Sequence, residues 1–490
     1  MAGNHAAPLD AYRWHCRAGL IAGPALFAVL LALPAPAGLS DPAWNTAALA
    51  LWMAIWWMSE AVPLAVTALL PVLLFPLMGV ISIAEATAPY ADPLIFLFLG
   101  GFLLALALQR WGLDRRIALV ILGVVGERPQ LVVAGLMLAT AFLSLWISNT
   151  ATAMTMLPIG QSILATMRRC SQPTASDELD KFSASVMLGI AYAASIGGMG
   201  SLIGTPPNAL LAGYLREAHG IEIGFAQWFA IGLPTVAILL PITWLWLVRI
   251  AFPFEPRALT GHRAALAAER ATLAPMSRGE CMVAIIFALT ALAWITRPLV
   301  QDLTGLVYSD PAIAIAAGIL LFVIPVERKD GRFLLTWRDT ANLPWHVLIL
   351  FGGGLSLAQA IDGSGLALAI GNSATGFAAM PPILFVAALG LLIVALSELA
   401  SNTAIAAVFL PVAGALAFGI GADPVLLAVT VALMASLGFM LPVGTPPNAI
   451  VYGSGAVAAT QMLRAGAPLD LIGIAVVTLI AWALGPALFG

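Results

Sequence analysis

Two short polar motifs, each present twice, carry the chemistry open to this sequence. Ser148-Asn149-Thr150 recurs as Ser401-Asn402-Thr403, each followed by an apolar arm holding Leu157-Pro158 or Leu410-Pro411. Gly204-Thr205-Pro206-Pro207-Asn208-Ala209 recurs unchanged as Gly444-Thr445-Pro446-Pro447-Asn448-Ala449. Serine, asparagine and threonine offer neutral oxygens to a cation and O–H or N–H donors to an anion. The paired prolines remove two consecutive backbone donors and clash with the preceding turn, so a helix through them is interrupted. Such a break exposes carbonyls that can hold a cation, and a helix N-terminus whose amides and dipole favour an anion. No Lys, Arg or His stands within the four motifs. A dianion bound there needs positive charge from elsewhere, and co-bound Na+ is the economical source. The motifs can thus form two symmetry-related cation sites around one anion site.

One such motif alone is more often packing glue or a kink between membrane helices. Repetition in register changes the reading. Phe98-Leu99-Gly100-Gly101 echoes Leu350-Phe351-Gly352-Gly353, so three paired motifs follow one order, 240 to 253 residues apart. The halves read as duplicates, the mark of a transporter built from repeats.

The elements that must position these motifs are membrane helices. Of 490 residues, 61% are hydrophobic and 9% charged, against about 25% charged in an ordinary soluble domain. Apolar runs predict crossings over 18–33, 46–59, 62–80, 93–109, 183–214, 226–250, 281–297, 311–326, 345–361, 425–453 and 469–488. An amphipathic piece covers 113–125, and two pairs of short arms, 131–146 with 151–167 and 381–396 with 404–420, flank the polar tripeptides. Those arms are short for a bilayer core about 30 Å thick, which predicts re-entrant hairpins. The fold class is therefore all-α and polytopic, with eleven transmembrane helices and two re-entrant helical hairpins in two repeats of inverted topology. With the N-terminus cytoplasmic and the C-terminus outside, every one of the 21 Lys and Arg except Arg216 and Arg297 falls on the cytoplasmic side, as the positive-inside rule asks. Arg13 and Arg17 precede an apolar stretch without a small-residue cleavage site, which predicts a retained first helix in an inner membrane.

Other residues exclude other chemistries. Net charge is −3 with no basic tract, so nucleic acid has no electrostatic footprint. Cys16, Cys170 and Cys281 form no metal-ligand spacing, and His5, His15, His219, His262 and His346 are scattered. An enzyme would need a nucleophile, base or metal cluster at a cavity, and a channel fits two occluding hairpins less well than alternating access does. Trp52, Trp56 and Trp57 read as interfacial or lipid-facing anchors, and Gly197-Gly198 as a close helix contact. Glu60 and Glu398 are intramembrane carboxylates at or near helix ends, structural or, for Glu398, a proton site.

These motifs, together with Met53-Ala54-Ile55-Trp56-Trp57-Met58-Ser59-Glu60-Ala61-Val62-Pro63-Leu64, resemble the divalent anion:sodium symporter family of dicarboxylate, citrate and sulfate carriers. The resemblance spans nearly the whole chain. It implies a homodimer in the lipid bilayer whose transport domain moves as an elevator against a scaffold. Scaffold helices would occupy 1–92 and 226–344, transport units 93–225 with hairpin 131–167 and 345–468 with hairpin 381–420, and a C-terminal helix 469–490. It further implies a first Na+ site of Ser144, Ser148, Asn149 and the Gly204 carbonyl, and a second of Ser397, the Ala400 carbonyl, Asn402 and the Gly444 carbonyl. Ser397 stands where some relatives carry threonine. The dianion would meet Asn149, Thr150 and Thr205 from one half and Asn402, Thr403 and Thr445 from the other. Sodium-coupled symport of a C4-dicarboxylate is the implied activity; a sodium-independent exchanger and a sodium-coupled sulfate carrier are the alternatives.

Overall fold

The computed structural model describes residues 14–126, 128–170, 176–256, 259, 262–327, 331–377 and 379–489. His5 and Arg13 lie outside them, as does the side chain of His262. The chain is helical almost throughout. The departure from all-α is a short antiparallel ladder of Pro325–Glu327 on Arg332–Phe333.

Local chemistry sets where the helices begin and end. Ser277 caps Arg278–Thr304 with a capping box, its hydroxyl accepting from Glu280 N at 3.2 Å while the Glu280 carboxylate accepts from Ser277 N at 2.7 Å. The helix closes on Gly305, whose φ of 71° suits a residue without Cβ. Along its length Leu289, Leu292, Ile295, Leu299 and Leu303 are exposed. Water would penalise such a stripe; lipid does not. Among the described residues, seven helices are long and apolar enough to cross a bilayer: Trp14–Ala32, Ile83–Arg110, Phe225–Ala251, Arg278–Thr304, Trp345–Gly363, Asn402–Ile420 and Ala459–Leu484. The chain is a multi-pass membrane protein.

Several of the other expected crossings are in pieces. The segment 62–80 forms Leu64–Thr67 and Leu70–Leu77. At both Pro-Pro motifs the helix is broken, as the missing donors require: Ser176–Gly198 stops before Pro206–His219, and Pro424–Ala435 stops before Pro446–Gly453. Both arm pairs are present as well, Pro129–Ser144 with Asn149–Cys170 and Pro382–Ser397 with Asn402–Ile420. The second arms run longer than the expected 16 or 17 residues, at 22 and 19.

The two halves interlock. Pro206–His219 packs on Asn402–Ile420 and Pro424–Ala435 of the second half, and Pro446–Gly453 packs on Asn149–Cys170 and Ser176–Gly198 of the first. Tyr192 adds a tie, donating from its hydroxyl to the Phe439 carbonyl at 2.8 Å. The third echoed motif is packing: a Cβ on Gly100 would meet the Ala314 backbone at 2.4 Å, one on Gly353 the Ala68 carbonyl at 2.3 Å, and Phe98 and Phe351 meet edge to face at 4.8 Å. Of the three tryptophans, Trp57 departs from the interfacial or lipid-facing expectation, while Trp52 and Trp56 are half-exposed. Trp57 is fully buried, its indole N–H donating to the Leu64 carbonyl at 3.1 Å, and Trp52 packs on Phe27 at 5.0 Å.

Candidate cation and anion site

Ser144 ends the first arm of one hairpin and Asn149 opens the second arm. Ser144 is fully buried; its Oγ lies 2.6 Å from the Ala194 carbonyl oxygen and 2.8 Å from Asn149 Oδ1. The second half repeats this arrangement. Ser397 Oγ, also fully buried, lies 2.6 Å from the Ala435 carbonyl oxygen and 2.9 Å from Asn402 Oδ1. A hydroxyl has one proton and two lone pairs. With that proton given to the nearer carbonyl, Oγ and Oδ1 are two acceptors in contact, an arrangement a cation relieves.

The helix breaks close on the same points. A Cβ on Gly198 would fall 2.2 Å from Asn149 Oδ1, and one on Gly204 2.5 Å from the Gly198 carbonyl and 2.9 Å from the Ser144 carbonyl. Ser144, Asn149 and Gly204 therefore meet around Gly198. The match in the second half is looser: a Cβ on Gly438 would stand 3.9 Å from the carbonyl oxygens of both Gly444 and Ser397. Ser148 and Ala400 stand at the hairpin tips, Ser148 Oγ accepting from Ala151 N at 3.4 Å and Ala400 N donating to the Leu396 carbonyl at 3.0 Å.

Four helix N-termini belong to this region: Asn149, Pro206, Asn402 and Pro446 each open a helix whose first amides have no partner in the preceding turn. Interlocking sets the Pro446 helix beside the first hairpin and the Pro206 helix beside the second. Thr205 and Thr445 are the caps of the broken helices, both buried. Thr445 Oγ1 accepts from Asn448 N at 3.3 Å, whereas Thr205 makes no side-chain cap bond. Asn149, Thr150, Asn402 and Thr403 are half-buried. Each half offers hydroxyls, an asparagine amide and helix ends, groups chemically suited to an anion beside a cation.

Glu398 has a definite place. Buried behind Ser397, its carboxylate accepts from Met440 N at 2.7 Å and Leu441 N at 2.8 Å, while Asp470 accepts from Phe439 N at 3.2 Å. Two carboxylates thus hold three consecutive amides of the second break. The first break uses neutral groups: Ser201 Oγ accepts from Gly204 N at 3.0 Å, and Trp228 Nε1 donates to the Met199 carbonyl at 3.0 Å. Sequence reasoning passed over Asp470, although a lone carboxylate within the last apolar run was a signal. The Ala194 and Ala435 carbonyls, distant in sequence and chemically anonymous, gave none. Among the described residues no three His, Cys, Asp or Glu side chains gather for a metal. A crevice of about 560 Å³ lined by Leu113, Val120, Phe142 and Phe287 lies apart from all of these residues.

Comparison with known proteins decides the family. The profile described as the sodium:sulfate symporter transmembrane region matches residues 16–490. The chain belongs to that family. Members of the sodium:sulfate symporter family are transporters, so this chain is a membrane transporter rather than an enzyme. It is 40% identical over 477 residues to the sodium-dependent dicarboxylate transporter SdcS of Staphylococcus saprophyticus, covering 96% of this chain and 92% of that one. The SdcS of Staphylococcus aureus strain bovine RF122 is 41% identical over the same shares. Among solved structures, the fold resembles the Alcanivorax borkumensis YdaH transporter, with a TM-score of 0.56 at 15% identity, covering 96% and 98% of the two chains. It also resembles Neisseria gonorrhoeae MtrF, of a class of antimetabolite efflux pumps, at 0.53 and 12% identity, covering 94% and 96%.

Proposed function

We propose that this transporter couples sodium to the movement of a C4-dicarboxylate such as succinate, malate or fumarate. The observation that carries the reading is the duplicated pair of buried oxygens, Ser144 Oγ with Asn149 Oδ1 and Ser397 Oγ with Asn402 Oδ1, whose one proton has a nearer carbonyl to go to. Each pair marks a Na+ site, completed by Ser148 and the Gly204 carbonyl in the first half and by the Ala400 and Gly444 carbonyls in the second. Thr150, Thr205, Thr403 and Thr445, with the two asparagines, bind the substrate carboxylates between them. A desolvated dianion without a basic partner is costly, and sodium supplies the missing charge. The SdcS name supports a dicarboxylate over sulfate. Homodimeric assembly, inverted repeats and elevator motion of the units 93–225 and 345–468 against the remainder are extended from the family resemblance.

Uptake of labelled succinate into proteoliposomes tests this. A sodium gradient drives accumulation, choline in its place abolishes it, and excess unlabelled malate competes where sulfate does not. Undiminished uptake in choline would refute sodium coupling, and competition by sulfate alone would reverse the substrate assignment.

A further inference from the structure

Asn208 and Asn448 follow the two Pro-Pro pairs. Both are fully buried. Asn208 Nδ2 donates to the Ser201 carbonyl at 2.8 Å, the Gly198 carbonyl at 3.1 Å and the Met199 carbonyl at 3.3 Å. Asn448 Nδ2 donates to the Gly438 carbonyl at 2.8 Å and the Leu441 carbonyl at 3.0 Å. The offsets coincide: each asparagine reaches back to the residues 10 and 7 positions earlier. Because every partner is a carbonyl, the amino group must face the break, and the carboxamide orientation is fixed by chemistry. Oδ1 then points away, buried and without a hydrogen-bond partner in both residues. A buried acceptor left unpaired destabilises the fold. An apolar side chain would avoid that penalty, yet both halves carry it, so what each asparagine contributes lies on its donor side.

What the donors hold is the wall of each cation site. The Gly198 carbonyl lies against Gly204, and Gly198 itself packs on Asn149 Oδ1. The Leu441 carbonyl lies 3.3 Å from where a Cβ on Gly444 would stand. A break without helical hydrogen bonds would otherwise leave these carbonyls free to turn.

We propose that Asn208 and Asn448 are positioning residues: each clasps its helix break across the 10 and 7 offsets and thereby sets the carbonyls that bound one sodium site. The inference rests on the sodium sites proposed above. The clasp also predicts comparable dependence in the two halves. In each half a second donor holds the carbonyl nine residues before the asparagine, Trp228 on Met199 and Tyr192 on Phe439, so the offsets 10 and 7 are left to the clasp.

The test uses full-length protein in proteoliposomes and in detergent. Asn208→Asp and Asn448→Asp keep the shape and replace the amino donor by an acceptor. Each should raise the sodium concentration for half-maximal succinate uptake about three- to tenfold, the effect expected from one hydrogen bond. The ratio of half-saturating sodium to half-saturating lithium should shift too, because loosened carbonyls discriminate ion size less. A residue that only supports the fold would lower the amount inserted and the maximal rate, with sodium dependence and ion ratio unmoved; that result overturns the proposal. Asn448→Ser, which keeps a shorter donor, should fall between wild type and Asn448→Asp. It carries the test if the aspartate variants fail to insert, and wild-type sodium dependence from Asn448→Ser would likewise overturn the clasp. Wild-type protein indifferent to sodium would instead refute the sodium sites, a separate outcome read from the same titration.

Discussion

Replacing Ser144 by alanine removes two interactions that respond differently to sodium. One is the 2.6 Å hydrogen bond to the Ala194 carbonyl, a neutral contact that contributes about 0.5–1.5 kcal/mol of stability. The other is one oxygen of the cation pair, an interaction with a charge, for which about 1.5–3 kcal/mol is the appropriate scale. Only the second depends on the ion. At about 1.4 kcal/mol per tenfold in affinity, Ser144→Ala should raise the half-saturating sodium concentration about tenfold to a hundredfold. Ser397→Ala, with nearly the same distances in the other half, should match it within a few-fold. The contact between Ser144 and Asn149 makes a stronger statement. Either substitution alone dismantles the pair, so Ser144→Ala combined with Asn149→Ala should cost less than the sum of the two, by about 0.5–3 kcal/mol of coupling. The assay is calorimetric titration of purified protein with succinate at a series of sodium concentrations, with thermal melts to confirm folding. By linkage, substrate must raise sodium affinity by the factor sodium raises substrate affinity. Unchanged sodium dependence in folded Ser144→Ala and Ser397→Ala would refute the two-acceptor reasoning.

Thr205→Val removes a hydroxyl without a cap bond, so it should weaken succinate binding by about 1–3 kcal/mol with the melting temperature unchanged; Thr445→Val also loses its bond to Asn448 N and should lower both, as parallel melts and titrations will show. Gly198→Ala places a methyl 2.2 Å from Asn149 Oδ1 and should raise the sodium requirement sharply, whereas Gly438→Ala, with nothing nearer than 3.4 Å, should be tolerated in the same uptake assay. Leu399 is 69% exposed at the tip of the second hairpin; Leu399→Cys in an otherwise cysteine-free chain should react with an impermeant maleimide from one side of the membrane only, and equal labelling from both sides would contradict a re-entrant tip.

The breaks were legible because Pro-Pro can open a helix but cannot continue one from the preceding turn, and the duplicated oxygens because their order repeats. The paired arms around each tripeptide followed from the apolar pattern, although the second arms run to 22 and 19 residues rather than the short lengths expected. What the sequence did not disclose depends on partners brought from afar. Ser144 finds Ala194, and Ser397 finds Ala435, through backbone carbonyls that any residue could present. Ile147, next to the first tripeptide, is buried, and Trp146 beside it packs against Phe287 at 4.9 Å. Trp57 likewise looks like a membrane anchor until Leu64 supplies its hydrogen bond inside the protein. Gly197 and Gly198 were read together as one close contact, yet they do different things. Gly197 admits the Ala141 backbone, where a Cβ would fall 2.4 Å from its carbonyl oxygen, while Gly198 makes room for the Asn149 side chain.

The interlocking of the halves bears on how the chain can diverge. Each helix that follows a Pro-Pro pair is seated among elements of the other half, so a change in it must be accommodated by a surface encoded far away in the sequence. Segments that face lipid are under no such joint constraint and can drift independently in each copy. Six consecutive residues from Gly204 are identical to those from Gly444, while the arms after the two tripeptides, although they seat the Pro-Pro helices of the opposite half, share two alanines and Leu-Pro. Neither repeat is a self-sufficient ancestor in miniature. A single copy, standing alone, would offer its reading head to a partner that only a second copy could provide.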